Sequence, residues 1–486
     1  MLKTVICSTE GVPFAKTGGL ADVVGALPFS LKKFDMEIIV ILPGYNFTFS
    51  KNYNFEKIAQ NIAVIMNKNY KEYFDIFKTN YNGIDFYFVK NEKFFNREYL
   101  YGTPEGDYDD NNIRFGFFSK AILKLLKIIK YKADIIHLHD YHVAMISVLI
   151  NEIKTKKTDS FFDNSHTIFT IHNLAYQGIY DKKTLDLLEI DKKYFNIEGL
   201  EFYGKINYMK GGIVYSEKIT TVSPTYSKEI LTSEFGYGLD GILRTRQKDL
   251  SGIINGIDYN IWNPEMDKLI RNNYNSNNFS GKQKCKKFLV KDLFNANDIT
   301  KPVFGMVSRL SNQKGIDLLI KAFDSLMLED LYIIILGTGD EKYLTVLKEL
   351  NKKYSKQFYL DTGFSEKLAR EIYSGADIFL MPSYYEPCGL GQLISLKYGT
   401  IPVVRDTGGL KDTIINIDSE ADIKNGGQGF KFSNYEFKEL IKAVNRALGF
   451  YYNKKLWEKI MKNGMICNYS WDSSAKKYRE LFVSLI

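Results

Sequence analysis

Four segments of this chain gather cations, carboxylates and glycines at spacings suited to holding an anion or a set of hydroxyls. The first is Lys16-Thr17-Gly18-Gly19-Leu20-Ala21-Asp22. Glycines that open a helix let backbone N–H groups approach a phosphate where the helix dipole favours negative charge, and the lysine adds a point charge. The lysine precedes the glycines, so this is no Walker loop, and the pattern is not GxGxxG; a turn of this kind is also compatible with a structural role alone. The second is Ser308-Arg309-Leu310 followed by Lys314-Gly315. Two cations after an apolar strand lie where open α/β sheets bind ligands. The start of a helix ordinarily prefers acidic residues, so cations there require an anionic partner, the alternative being a solvated loop.

The third segment, Glu386-Pro387-Cys388-Gly389-Leu390-Gly391, follows the apolar run Ile378 to Met381. A carboxylate at a strand end, backed by the N–H groups of a glycine turn, can hold sugar hydroxyls and the adjoining part of a ligand. A surface glutamate before a helix-starting proline reads similarly. The fourth, Asp406-Thr407-Gly408-Gly409-Leu410, is another glycine turn entering a helix and is ambiguous alone. All five histidines fall between His137 and His172. Strand alternation puts His137 and His139 on one face, yet no nearby cysteine completes a zinc set. Buried or loop histidines, or substrate contacts from Asp140 or His172, are the other readings. Cys7, Cys285, Cys388 and Cys467 form no CxxC pair and read as free thiols.

These segments need elements to position them, and the hydrophobic pattern supplies two arrays. Short buried runs at Thr4–Cys7, Glu37–Leu42, Ile84–Val89, Asp134–Leu138, Thr167–Ile171 and Lys218–Val222 predict strands. Between them Ile113, Phe117, Ala121, Ile122, Leu125 and Ile129 recur at helical spacing. A second array runs through Pro302–Val307, Tyr332–Leu336, Phe358–Leu360, Asp377–Met381 and Ile401–Val404, with helices over Ile316–Leu326 and Leu390–Tyr398. Strands alternating with helices imply parallel sheets covered on both faces. A turn-rich stretch, Ser251 to Ser280, separates the arrays. The expected layout is an α/β protein of two domains facing a cleft, with a final helix from about Trp471 to Ile486.

Composition agrees with a folded multidomain chain. A length of 486 residues exceeds one core, and 45% apolar with 25% charged residues is ordinary for globular proteins. The net charge of +8 is spread along the chain without a basic block, so nucleic-acid binding is not indicated. No apolar stretch is long enough for a membrane helix. The N-terminal residues read as a first strand and not as a secretory segment, so the expected location is cytoplasmic.

The motifs taken together resemble the bacterial glycogen synthases and plant starch synthases of the ADP-glucose type, glycosyltransferase family five. The resemblance rests on Lys16–Pro28 (KTGGLADVVGALP), Ile171–Tyr180 (IHNLAYQGIY), Thr220–Tyr226 (TTVSPTY), Gly238–Leu243 (GLDGIL), Ile254–Asp258 (INGID), Ser308–Gly315, Glu386–Leu393 and Asp406–Thr413. Their shared order, from the first residues to the Trp471 region, is specific where each motif alone is weak. It implies a GT-B fold: two Rossmann-like domains with parallel sheets facing a central cleft, over residues 1–250 and 251–465, and a C-terminal helix, 466–486, crossing back to the first domain. The lack of a plant-type transit segment favours the bacterial form.

The resemblance also implies the reaction, transfer of glucose from ADP-glucose to the non-reducing 4-hydroxyl of an α-1,4-glucan such as glycogen, with retention of configuration. Carried over, Lys16, Arg309 and Lys314 would surround the diphosphate, while Gly18, Gly19 and the Cys388-Gly389-Leu390 turn would offer N–H groups. Asp140, His172, Asn255 and Glu386 would hold the glucose; His172, Glu386, Arg309, Lys314 and Asp140 are the expected catalytic set. Asp22 and Tyr101 match positions near donor or acceptor, Thr407 falls in a donor-binding motif, and Phe364 would lie beside the adenine. No metal and no cofactor is implied, since three cations and helix N-termini can neutralise the leaving diphosphate. The wider superfamily usually has a second, ribose-binding glutamate eight residues after the first, where this chain has Ile394; the ADP-glucose branch shares that departure. The competing expectations are UDP-glucose as donor, a non-catalytic glucan-binding relative, and a pyridoxal-dependent phosphorylase on the related fold.

Overall fold

The computed structural model describes residues 1–103 and 105–486. The chain folds as two compact units, one formed by Met1–Ile254 with Trp471–Ile486 and the other by Asn255–Ser470.

The strands of the first unit's main sheet are β1 (Leu2–Cys7), β2 (Met36–Pro43), β3 (Glu56–Asn67), β4 (Tyr70–Tyr81), β5 (Ile84–Lys90), β6 (Ile135–His139), β7 (His166–Ile171), β8 (Lys218–Thr221) and β9 (Leu250–Gly252). They lie in the order β9-β8-β7-β6-β1-β2-β5-β4-β3. Seven strands are parallel, as the buried runs predict. The edge differs from the expected all-parallel sheet: β3 and β4 form a hairpin that adds to β5 antiparallel. Such a hairpin needs one covered face only, so its strands lack the continuous apolar run that marks the others. The helix Trp471–Val483 belongs to this unit. Its Trp471, Ala475, Tyr478 and Phe482 are spaced along one helical face and share a core with Leu20, Val23, Val24 and Leu27 of the helix Gly19–Lys32.

The second unit is a six-stranded parallel sheet of β10 (Val303–Val307), β11 (Tyr332–Leu336), β12 (Phe358–Asp361), β13 (Ile378–Met381), β14 (Ile401–Arg405) and β15 (Phe430–Phe432), in the order β12-β11-β10-β13-β14-β15. Its two faces bury different residues. Ile333 and Ile335 of β11 join one core, while Tyr332, Ile334 and Leu336 join the other. That is why the run reads as unbroken apolar sequence.

In each sheet the strand order reverses once next to the first strand of the array, between β1 and β6 and between β10 and β13. Open α/β sheets form a crevice at the carboxyl ends of the strands at such a point. The loops leaving those four strands hold the Lys16, Asp140, Arg309–Lys314 and Glu386 segments. Among the described residues no helix is long and apolar enough to cross a membrane.

Candidate active site

In the first unit, the chain leaving β1 turns at Gly11 and enters the helix Gly19–Lys32. The organising group of this turn is Glu10, a residue the motif reading did not single out. Its buried carboxylate accepts the backbone N–H of Thr17 at 2.5 Å and of Gly18 at 3.1 Å, the Thr17 hydroxyl at 2.7 Å and the Tyr101 hydroxyl at 2.6 Å. In this structure the Gly18 amide donates to Glu10. Gly19, as the first helical residue, has no intrahelical partner for its N–H. Lys16 Nζ donates to Asp22 Oδ1 at 2.6 Å, and both side chains stay partly exposed. Burial pushes the Asp22 carboxyl above its ordinary range, and Lys16 opposes that shift. The Tyr101 ring stacks on His142 with centroids 4.5 Å apart.

Asp140 follows β6 and precedes the helix Tyr141–Lys156, with φ 61° and ψ 174°. That region suits glycine and costs an ordinary residue of order 1–3 kcal/mol. The conformation lets the carboxylate accept the backbone N–H of His172 at 2.8 Å and that of Asn173. Burial pushes the Asp140 carboxyl up to about 7, against the lowering effect of those hydrogen bonds. His172, just past the end of β7, has its Nε2 2.9 Å from His139 Nδ1. Burial pushes the His172 imidazole down to about 3, which keeps it neutral near pH 7.

In the second unit, β10 and β13 are hydrogen-bonded neighbours, so their loops meet although they are far apart in sequence. Lys314 Nζ donates to Glu386 Oε2 at 2.6 Å, and Ser383 Oγ donates to the same oxygen at 3.0 Å. Glu386 is buried, while Lys314 is only partly so. Gly315 has φ 72°, and a Cβ there would stand 2.0 Å from the Pro382 carbonyl oxygen, so only glycine lets these loops approach. Arg309 is exposed at the end of β10. The turn after Glu386 places Gly389 at φ 74°, and the Gly409 N–H donates to the Glu386 carbonyl at 3.0 Å. The third and fourth motifs are thereby joined, with Leu390 and Thr407 at the positions that open the two following helices. Cys388 is buried, its thiol pushed up to about 12 by burial and opposed by the Asn255 N–H. Asn255 is buried with its side-chain Oδ1 lacking a hydrogen-bond partner among the described residues. Phe364, between β12 and the helix Glu366–Gly375, is 93% exposed, a ring with a free face for a ligand.

The first unit thus has Lys16, Asp140 and His172 on loops at strand ends, Asp22 in the first turn of the helix Gly19–Lys32, and Tyr101 tied to the Lys16 loop through Glu10. The second has Arg309, Lys314, Glu386, Cys388, Gly389, Leu390 and Thr407 on loops at strand ends. Among the described residues no group of three histidines, cysteines or acids is placed to hold a metal ion.

Two parallel α/β units with these cation, carboxylate and glycine loops define a glycosyltransferase of the GT-B type. The glycosyl transferases group 1 family matches residues 291–464, and the starch synthase catalytic domain family matches residues 3–245. The glycogen synthase of Geotalea daltonii is 46% identical over 484 residues, covering 99% of this chain and 98% of that protein. The glycogen synthase of Thermosipho melanesiensis is 44% identical over the same length, with the same coverage. Among solved structures, the catalytic domain of starch synthase IV from Arabidopsis thaliana, bound to ADP and acarbose, superposes with a TM-score of 0.91 at 30% identity, covering 100% of this chain and 99% of that one. Sucrose-phosphate synthase from Thermosynechococcus elongatus, at TM-score 0.59 and 15% identity over 100% of both chains, shares the fold. The chain belongs to the glycogen synthase and starch synthase family.

Proposed function

We propose that this glucosyltransferase elongates an α-1,4-glucan in the cytoplasm by taking glucose from ADP-glucose. The bond between glucose C1 and the β-phosphate oxygen breaks, and a bond forms from C1 to the non-reducing-end 4-hydroxyl oxygen with retention of configuration. ADP departs with the bonding electron pair, and the hydroxyl proton passes to the departing diphosphate oxygen. The reading is carried by the full-length similarity, at 30% identity, to a starch synthase domain whose structure holds ADP and acarbose. The arrangement within each unit supports it.

In this reading Arg309, Lys314 and Lys16 neutralise the departing diphosphate, and the N–H groups of Gly19 and of the Cys388-Gly389-Leu390 turn add to them. Lys314 already has Glu386 as counter-ion, so one carboxylate holds the cation in place while its second oxygen is available to a glucose hydroxyl. The orphaned Asn255 Oδ1 can accept from another hydroxyl. Asp140, through the backbone of His172, sets where the imidazole stands, and His172 contacts the sugar as positive, oxocarbenium-like charge develops. Asp22, Tyr101 and Thr407 line donor or acceptor positions, and the exposed Phe364 ring stacks on adenine.

Glucose transfer to glycogen, measured with ADP-glucose and UDP-glucose and with or without EDTA, tests the reading. ADP-glucose should be the better donor and EDTA should leave the rate unchanged. Preference for UDP-glucose would overturn the donor assignment, and a strict divalent-cation requirement would overturn the role given to the cations.

A further inference from the structure

Asp140 fixes the backbone of His172 but leaves its ring free to be set by something else. That group is His139, the last residue of β6, fully buried and with Nδ1 2.9 Å from His172 Nε2. Burial holds both imidazoles well below their ordinary range, so each ring is neutral near pH 7 and has one N–H. The hydrogen bond between them uses one proton and can be written two ways. If His172 donated from Nε2, the proton of His139 would sit on its own Nε2, an atom buried without a hydrogen-bond partner. A buried donor N–H with no acceptor is a rare and costly defect. If His139 donates from Nδ1, only a lone pair is stranded at Nε2. The single proton of His172 must then sit on Nδ1.

We propose that His139 is a positioning residue: by donating from Nδ1 to His172 Nε2 it fixes His172 as the Nδ1–H tautomer, so that His172 offers the sugar a hydrogen-bond donor and not an acceptor. The proposal rests on the reading of His172 as a sugar contact. It also explains why β6 ends in an imidazole at a fully buried position, where an apolar side chain would pack without a stranded ring nitrogen.

The test uses the full-length protein labelled with 15N-histidine, with the ring nitrogens of His172 assigned by comparison with His172→Ala. The proposal expects Nδ1 of His172 to be protonated and Nε2 unprotonated in the wild type, and the Nε2–H form to appear in His139→Leu. In kinetics, His139→Leu should lower kcat at least about tenfold, because a histidine in the wrong tautomer cannot make its contact, with KM for ADP-glucose within about threefold. Its melting temperature should stay level or rise. His139→Asn, whose amide N–H stands near the place of Nδ1, should recover most of the rate. An Nε2–H tautomer of His172 in the wild type overturns the proposal, and so does a kcat for His139→Leu within about threefold of wild type. Full activity in His172→Ala would instead overturn the sugar-contact reading, while the tautomer is judged from the spectra.

Discussion

The Lys314–Glu386 pair separates a structural loss from a catalytic one. Its atoms stand 2.6 Å apart, with 18% of the lysine and 6% of the glutamate side chain exposed. Removing one partner of a buried pair strands the other and costs about 3–5 kcal/mol. Here water reaches the lysine, and Ser383 keeps a 3.0 Å hydrogen bond to the same oxygen, so a loss below that range, about 2–3 kcal/mol, is expected for Lys314→Met. For a unit of this size that lowers the melting temperature by about 4–12 °C. In the double variant Lys314→Met/Glu386→Gln no charge is stranded, and most of that stability should return. Activity should behave differently. Each single variant and the double should lose about 10²-fold or more in kcat, because Lys314→Met removes a cation from the leaving group, Glu386→Gln removes the carboxylate given to the glucose, and the double lacks both. Calorimetry and initial rates on the four proteins complete the cycle. Recovery of rate along with stability in the double variant would refute the catalytic role, and a Lys314→Met protein that melts within about 1 °C of wild type would refute the pair's burial.

Asp140 gives a pH signature. Its carboxyl is raised from 3.8 to about 7, so the protonated form is favoured in the native state. The associated stability is complete below the unfolded value and is lost as pH rises through the folded one, at up to about 1.4 kcal/mol per pH unit. Asp140→Asn should therefore gain on the wild type between about pH 4 and 7 and by nothing further above that; a melting difference independent of pH would refute the shift. Gly18→Ala should leave stability within about 0.5 kcal/mol, since the added Cβ meets no atom within 4 Å, while KM for ADP-glucose rises if a ligand approaches there. Gly409→Ala puts a Cβ 2.1 Å from the Cys388 carbonyl oxygen and should cost at least about 2 kcal/mol. Equal melting temperatures for these two glycine variants would contradict the difference in packing.

Much of the fold is legible because a parallel strand covered on both faces must be apolar throughout. Runs such as Tyr332–Leu336 declare themselves in this way. The hairpin β3–β4 does not, because in Glu56–Asn67 only Val64 and Met66 are buried and the rest is half-buried or exposed. Phe430–Phe432 is too short to carry a period. The site divides along a similar line. The residue types of each loop follow from local needs, such as a glycine where φ is positive or a cation near an anion, and these are visible as motifs. Which loops meet depends on strand order. Nothing in the spacing between Lys314 and Glu386 says that β10 and β13 are neighbours. Glu10 escaped notice for the same reason, since its partners Thr17, Gly18 and Tyr101 come together only once the β1 loop and the Tyr101 segment are folded.

Three residues of the candidate site, Asp140, Asn255 and His139, break local rules. Asp140 takes a backbone conformation fit for glycine, yet glycine could not supply the carboxylate that holds the N–H groups of His172 and Asn173. Asn255 leaves a buried oxygen unsatisfied, and His139 strands a ring nitrogen. Each costs stability that an ordinary packing residue would not. Such local defects are expected where a functional site needs the residue. In the function proposed above a glucose hydroxyl completes Asn255, whereas His139 pairs with His172 through Nδ1 and its Nε2 stays stranded. Asp140 differs in that its defect is completed inside the protein: the strain is spent on fixing a backbone, and a substitution there should disturb the position of His172 before it disturbs the binding of ADP.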